Sequence, residues 1–236
     1  MRNIFNLLLV VLIIHGCKKN TETVSGSNVT CISAMKNVMW KGELQGKVLL
    51  DTLNNKKGLY GLGPAEYLRG ELLVVDGKSF ISTVLTDSTM NVEKKYNVKA
   101  PFFVYGNVTD WTKQNLPEYV KNMSDLEDVL NNKAENLTKP FIFKLKGKVK
   151  SADIHIQNLP KGSKVSSPKE AHAGQINYKL ENEAVELIGF YSTDHKGVFT
   201  HHDTNMHIHL ITANRDKMGH LDAVEIEEMQ LFLPKR

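Results

Sequence analysis

His207-Ile208-His209-Leu210-Ile211-Thr212-Ala213, then Asn214-Arg215-Asp216-Lys217-Met218-Gly219, then His220 is the stretch whose reading decides how this chain folds. Successive side chains of a strand point to opposite faces, so His207 and His209, two apart, share one face. The polar run from Asn214 to Gly219 is a turn, and His220 opens the returning strand. Folding about residues 214–215 pairs positions whose numbers sum to about 429, which sets His220 opposite His209, give or take two residues. Directly opposed side chains have Cβ atoms about 4.5–5.5 Å apart. Three imidazoles can then converge on one ion at Zn–N distances of about 2.0–2.1 Å, leaving a fourth position open as catalytic zinc sites do. The pair His207 and His209 alone is a weak motif, because five of the nine histidines crowd between His195 and His209. The addition of His220 at hairpin distance is what makes a site. His201 and His202 are adjacent and face opposite ways on an extended chain, so at most one can join; surface exposure is the expectation for both.

Working outward, Leu221 to Leu233 and Val185 to Tyr191 read as strands. Phe141 to Leu145 and Val149 to Ile156 alternate about Lys146-Gly147-Lys148, which predicts a hairpin with its turn there. Lys161 to Gln175 reads as a loop with a helical turn. Ser124 with Glu127 three residues later is a capping box, opening a helix with Leu126, Val129 and Leu130 on one face. Pro101 to Tyr105 is a strand. Glu71 to Ile81 is a hairpin, with Asp76-Gly77 as its tight turn. Val48, Leu49, Leu50 and Leu53 sit at helical spacing between Gln45 and Lys57, with Gly58 placed to end a helix. The balance is an α+β class: mostly β-sheet with a few short helices.

The chain has 236 residues, 41% hydrophobic and 24% charged, with a net charge of +4, ordinary for one large domain or two intimately packed ones. Its lysines are scattered, which argues against a nucleic-acid partner. Met1-Arg2-Asn3 precedes an apolar run from Ile4 to Ile14, too short to span a bilayer about 30 Å thick and matching a secretory signal. Ile14-His15-Gly16-Cys17 resembles a bacterial lipobox, so the expectation is a signal peptide over residues 1–16 and a lipid on Cys17 as the sole membrane contact. The product is expected to be exported, periplasmic or on the cell surface. Residues 17–34, rich in Thr, Ser, Asn and Gly, read as a flexible tether, and the folded domain is expected over residues 35–236. Cys31 then has no cysteine partner within that domain, which excludes an internal disulfide.

The wording from His207 to Glu227 resembles the zinc-binding segment of the acetolactate decarboxylase family. The resemblance extends through Tyr60-Gly61-Leu62-Gly63, Leu68-Arg69-Gly70-Glu71-Leu72-Leu73-Val74-Val75-Asp76-Gly77, Ala100-Pro101-Phe102-Phe103-Val104 and Leu187-Ile188-Gly189-Phe190, in family order. It implies a two-lobed fold with a zinc site near the lobe junction, the lobes running about 35–140 and 141–236, and a homodimer. It implies His207, His209 and His220 as zinc ligands, Glu71 as the catalytic glutamate, and the small molecule 2-acetolactate as substrate, giving acetoin and carbon dioxide. Zinc in that family is a Lewis acid toward the ketone and hydroxyl oxygens, and Glu71 handles the proton.

Two positions depart from the family pattern. Counting eight from Gly147, where the family carries an arginine, lands on His155, the second candidate catalytic residue. A guanidinium grips a carboxylate with two hydrogen bonds and is always charged; histidine makes one and is charged only when protonated. The family also uses a glutamate on a C-terminal tail, whereas this sequence ends sixteen residues after His220, at Arg236. Glu225, Glu227 and Glu228 lie on the intervening strand, where surface roles are the expectation. The readings that follow are an acetolactate decarboxylase, a zinc module for ligand or metal capture, or hydrolysis through a metal-activated water.

Overall fold

A computed structural model describes residues 21–23 and 29–235. The signal segment and Cys17 lie outside the described residues. In chain order the first half contains β1 (Thr21–Thr23), β2 (Val29–Ile32), α1 (Met35–Lys41), β3 (Val48–Leu49), β4 (Leu59–Pro64), β5 (Glu71–Val75), β6 (Lys78–Val84), β7 (Met90–Lys94), β8 (Lys99–Ala100) and β9 (Phe103–Asn107). The second half contains β10 (Trp111–Asn115), α2 (Met123–Ala134), β11 (Phe141–Ile156), α3 (Pro168–Ala171), β12 (Ile176–Tyr191), β13 (Met206–Thr212) and β14 (Met218–Pro234). The molecule is mostly sheet with three short helices among the described residues, as the sequence implied.

Two sheets dominate. The first has the order β1-β2-β9-β4-β5-β6-β7. The second has the order β10-β14-β11-β12-β13, and β13 pairs again with β14, so β11, β12, β13 and β14 close into a ring. Val29 to Ile32, placed in the tether by composition, are a strand hydrogen-bonded to β9, so the folded body begins ahead of Met35. β10 and α2 belong to the second lobe: β10 pairs with β14, and Leu126, Val129 and Leu130 pack into the core of the second sheet.

Three local expectations change. Residues 141–156 form one strand of 16 residues, not a hairpin. Gly147 is there for close approach: a Cβ at that position would collide with the Glu228 carbonyl and sit 2.8 Å from Met229 Cα. The helix beginning at Met123 is capped two residues before Ser124, by Asn122, whose side chain accepts from the Asp125 N–H at 3.0 Å. Glu127 instead accepts from Thr204 and from the Asn205 N–H. Val48 to Leu53, at helical spacing, become a short strand and a single 3₁₀ turn, because Val48 and Leu49 pair with β8. The Asp76-Gly77 turn forms as read, with φ of 47° and 76° at the two positions, the left-handed pair a tight hairpin requires.

The faces of the two sheets that meet supply a shared apolar layer. Tyr60, Leu62, Leu73 and Val104 come from the first sheet, and Ile142, Ile188, Phe190, Ile211 and Met218 from the second. Each such side chain, fully buried, is worth about 1.5–3 kcal/mol. Lys144 crosses the same layer, its Nζ 4.6 Å from the Trp111 ring centroid and 3.3 Å from Tyr60 Oη. The histidine cluster occupies the polar end of this junction.

Candidate metal centre

Strand register assembles the centre. His209 pairs with His220 on β14, and His220 pairs with His155 on β11, so three imidazoles stand in one row across adjacent strands. Leu210 with Gly219 and Ile211 with Met218 complete the turn, the register derived from the sequence. His207 lies two residues from His209 on the same face. Glu71 arrives from the opposing sheet, on the face it shares with Leu73 and Val75.

The ring centroids of His207 and His220 are 4.9 Å apart, those of His207 and His209 5.2 Å, and those of His209 and His220 5.5 Å. Imidazoles sharing a tetrahedral ion at Zn–N of about 2.0–2.1 Å have centroids about 5 Å apart. His207 Nε2 and His220 Nδ1 approach to 3.1 Å, close to the edge of about 3.3–3.4 Å of such a tetrahedron. His207 Nδ1–H donates to the Phe199 carbonyl at 2.7 Å, which fixes its tautomer and leaves Nε2 as a lone-pair donor. Nε2 of His201 is buried without a hydrogen-bond partner, and the ring nitrogens of His209 are buried with only the Leu72 backbone near enough to act on them. Buried polar atoms are normally satisfied, and lone pairs gathered this way suit a divalent ion. His201, His207 and His220 fit a metal by the closeness of their donor atoms, whereas His209, though its ring stands beside them, is not in that group.

The structure also places His201 in the centre, against the expectation of surface exposure. His201, His207 and His220 each offer a donor atom within 4.8 Å of the other two. His202 is exposed, as expected. His155, His220 and Asp222 make a second group of the same kind. There His155 Nδ1–H donates to both Asp222 oxygens at 2.8 Å, a carboxylate–imidazole pair that leaves Nε2 for the cavity. Glu225 and Glu227 pair on the surface with Lys150 and Lys148, and Glu228 is exposed, as the sequence implied.

Electrostatics follow from burial. Desolvation holds His207 and His220 well below the usual histidine range, with the neighbouring imidazoles adding to it, and lowers His209 to about 3. Neutral imidazole is the ligand form. Burial also pushes Glu71 well above the usual carboxylate range, opposed by the Gln157 N–H, which donates to Oε1 at 3.2 Å. Glu71 Oε2 lies 3.7 Å from His209 Nε2, and burial disfavours the charged form of both groups. A cavity of about 30 Å³ lies beside Glu71, His155, His201, His207 and His220, bordered also by Gln157 and His172, and His209 is not part of its lining. His172 and Gln157 carried no sequence signal, whereas Asp222, two residues beyond His220 on the same strand, was within reach of strand periodicity.

Fold and site together define a two-sheet β protein built round a buried histidine centre able to hold a divalent ion. The chain belongs to the alpha-acetolactate decarboxylase family, whose model matches residues 30–235. It is 29% identical over 179 residues to the alpha-acetolactate decarboxylase of Methanosarcina mazei, covering 72% of this chain and 57% of that protein. The match thus spans little more than half the length of that relative. Among solved structures, the alpha-acetolactate decarboxylase of Bacillus subtilis strain 168 shares the fold with a TM-score of 0.74 at 20% identity, covering 89% of this chain and 86% of that one. A Staphylococcus aureus protein of unknown function, described as similar to alpha-acetolactate decarboxylase, has a TM-score of 0.65 at 18% identity, covering 80% and 78%.

Proposed function

We propose that this chain decarboxylates 2-acetolactate to acetoin and carbon dioxide, with zinc held by His207, His209 and His220. The observation that carries this reading is the meeting of Glu71 from one sheet with the three strand histidines of the other, 3.7 Å from His209 Nε2. Zinc, when bound, supplies a Lewis acid for the ketone and hydroxyl oxygens and a sink for the electrons of the breaking carbon–carbon bond. Glu71 keeps Oε1 on the Gln157 N–H and so presents Oε2 to the cavity. Burial favours the protonated form of that carboxyl, which delivers the proton to the carbon that has lost carbon dioxide. His155, steadied by Asp222, offers Nε2–H to the substrate carboxylate when protonated, in the place of the arginine expected of the family.

A second reading, a zinc module for ligand capture, is favoured by His155 at the arginine position and by the small cavity. Zinc-loaded protein incubated with racemic 2-acetolactate separates the two. Acetoin should form well above the spontaneous rate, and Glu71→Gln and His209→Ala should each return it toward background. Acetoin at the background rate with wild-type protein would establish the capture reading. A lipid on Cys17, following Ile14-His15-Gly16, would place either activity outside the cytoplasmic membrane; mass analysis of membrane-extracted protein tests for it.

A further inference from the structure

Strand geometry accounts for His207, His209 and His220, but not for His201, which comes from the connection between β12 and β13. That connection is tightly built. Ser192 Oγ lies 2.7 Å from His195 Nδ1, and the His195 carbonyl accepts from the N–H groups of Val198, Phe199 and Thr200. The carbonyls of Gly197 and Val198 accept from Lys36 and Met35, capping the first turn of α1. The same loop supplies the Phe199 carbonyl that orients His207. Its backbone is pinned on both sides, and the product of that pinning is one imidazole aimed at the centre. The His201 ring centroid lies 5.0 Å from that of His220, within the spread of the strand histidines themselves, and 5.7 Å from that of His207, just beyond it, while donor atoms of all three rings lie within 4.8 Å of one another. Nε2 of His201 is buried with no hydrogen-bond partner, though the residue as a whole sits at the rim.

We propose that His201 is a fourth protein donor to the ion, filling in the resting protein the coordination position that the three strand histidines leave open. The inference rests on the zinc reading above. It has a consequence for the reaction: a substrate chelating through adjoining ketone and hydroxyl oxygens must displace His201. The cavity of about 30 Å³ has room for little more than a water, so something must yield before a hydroxy-keto acid enters. With the loop backbone anchored to α1, a swing of the His201 side chain is the least demanding movement. His201 is thus a built-in competitor for the open position.

The test uses metal alone. Zinc affinity of wild-type, His201→Ala and His202→Ala proteins is measured by competition with a chromogenic chelator, and the cobalt-substituted forms are compared by visible absorption. His201→Ala should weaken zinc binding at least about 10-fold, since loss of mere outer-shell partners already costs 10–100-fold. Its cobalt band should weaken as water replaces a nitrogen and coordination expands, while His202→Ala matches wild type. Unchanged affinity and an unchanged band in His201→Ala, with wild type loading one ion per chain, overturns this inference and leaves the zinc reading intact. Wild type that loads no ion overturns both.

Discussion

Replacing Gly147 with alanine tests the long-strand architecture that holds the centre. Gly147 pairs with Met229 on β14 and Val185 on β12. An added methyl would meet the Glu228 carbonyl oxygen and lie 2.8 Å from Met229 Cα. Restoring ordinary carbon contacts of about 3.5–4.0 Å means parting the strands by roughly 1 Å. Overpacking of that kind costs about 1–3 kcal/mol, and one or two stretched ladder hydrogen bonds add about 1 kcal/mol each. A total of about 2–5 kcal/mol lowers Tm by about 4–20 °C in a chain of this size. Differential scanning calorimetry of Gly147→Ala, with Lys146→Ala as control, measures it. The control removes an exposed lysine that reaches the buried Glu186 at 3.2 Å, and Glu186 keeps Arg215 at 2.9 Å, so its Tm should stay within about 2 °C of wild type. Gly147→Ala melting with the control would mean that residues 146–148 are a turn after all, and the strand-crossing argument would fall.

Acid should unfold the metal-free protein through its histidines. His209 has its pKa lowered from 6.5 to about 3, so its contribution is present above pH 6.5 and fades as pH falls toward 3, a few kcal/mol at most; His207 and His220 act in the same direction. Urea midpoints that stay level from pH 7.5 to pH 4 would contradict this. Glu71 works with the opposite sign: its raised pKa gives stability that is full below 4.5 and lost as pH rises through the folded value. Metal-free Glu71→Gln should therefore gain on wild type between pH 5 and pH 9, and a widening deficit would show that the carboxylate is stabilised as an anion. Stripping the ion should lower Tm, and restoring zinc at 100 times its Kd should return about 2.7 kcal/mol, or about 5–11 °C; a Tm indifferent to chelator would argue against an ion in the fold.

The centre was legible where backbone periodicity carries information. His207, His209 and His220 follow from the alternation of a strand and the arithmetic of one turn, and the Asp76-Gly77 hairpin from two residues that accept left-handed backbone. What escaped depends on partners distant in sequence. Gly147 resembles a turn glycine until β14, eighty residues on, comes to lie against it. Leu49 and Leu50 have helical spacing, but the edge of β8 claims Val48 and Leu49 for a ladder. His201 sits six residues before His207 in a loop without a period, and only the staple between that loop and α1 turns it inward. Asn122, not Ser124, caps its helix because Ser124 already lies inside the first turn.

The row His209, His220, His155 owes its spacing to the backbone ladder itself, one strand repeat of about 4.8 Å per imidazole. Heredity can therefore keep the ring positions by keeping the pairing, while side chains elsewhere in the lobes drift. His201 has no such protection, since its placement hangs on a single loop. Descendants of this gene would then be able to lose or move the loop imidazole in one or two mutational steps, changing how tightly the centre is closed without redesigning the strands beneath it.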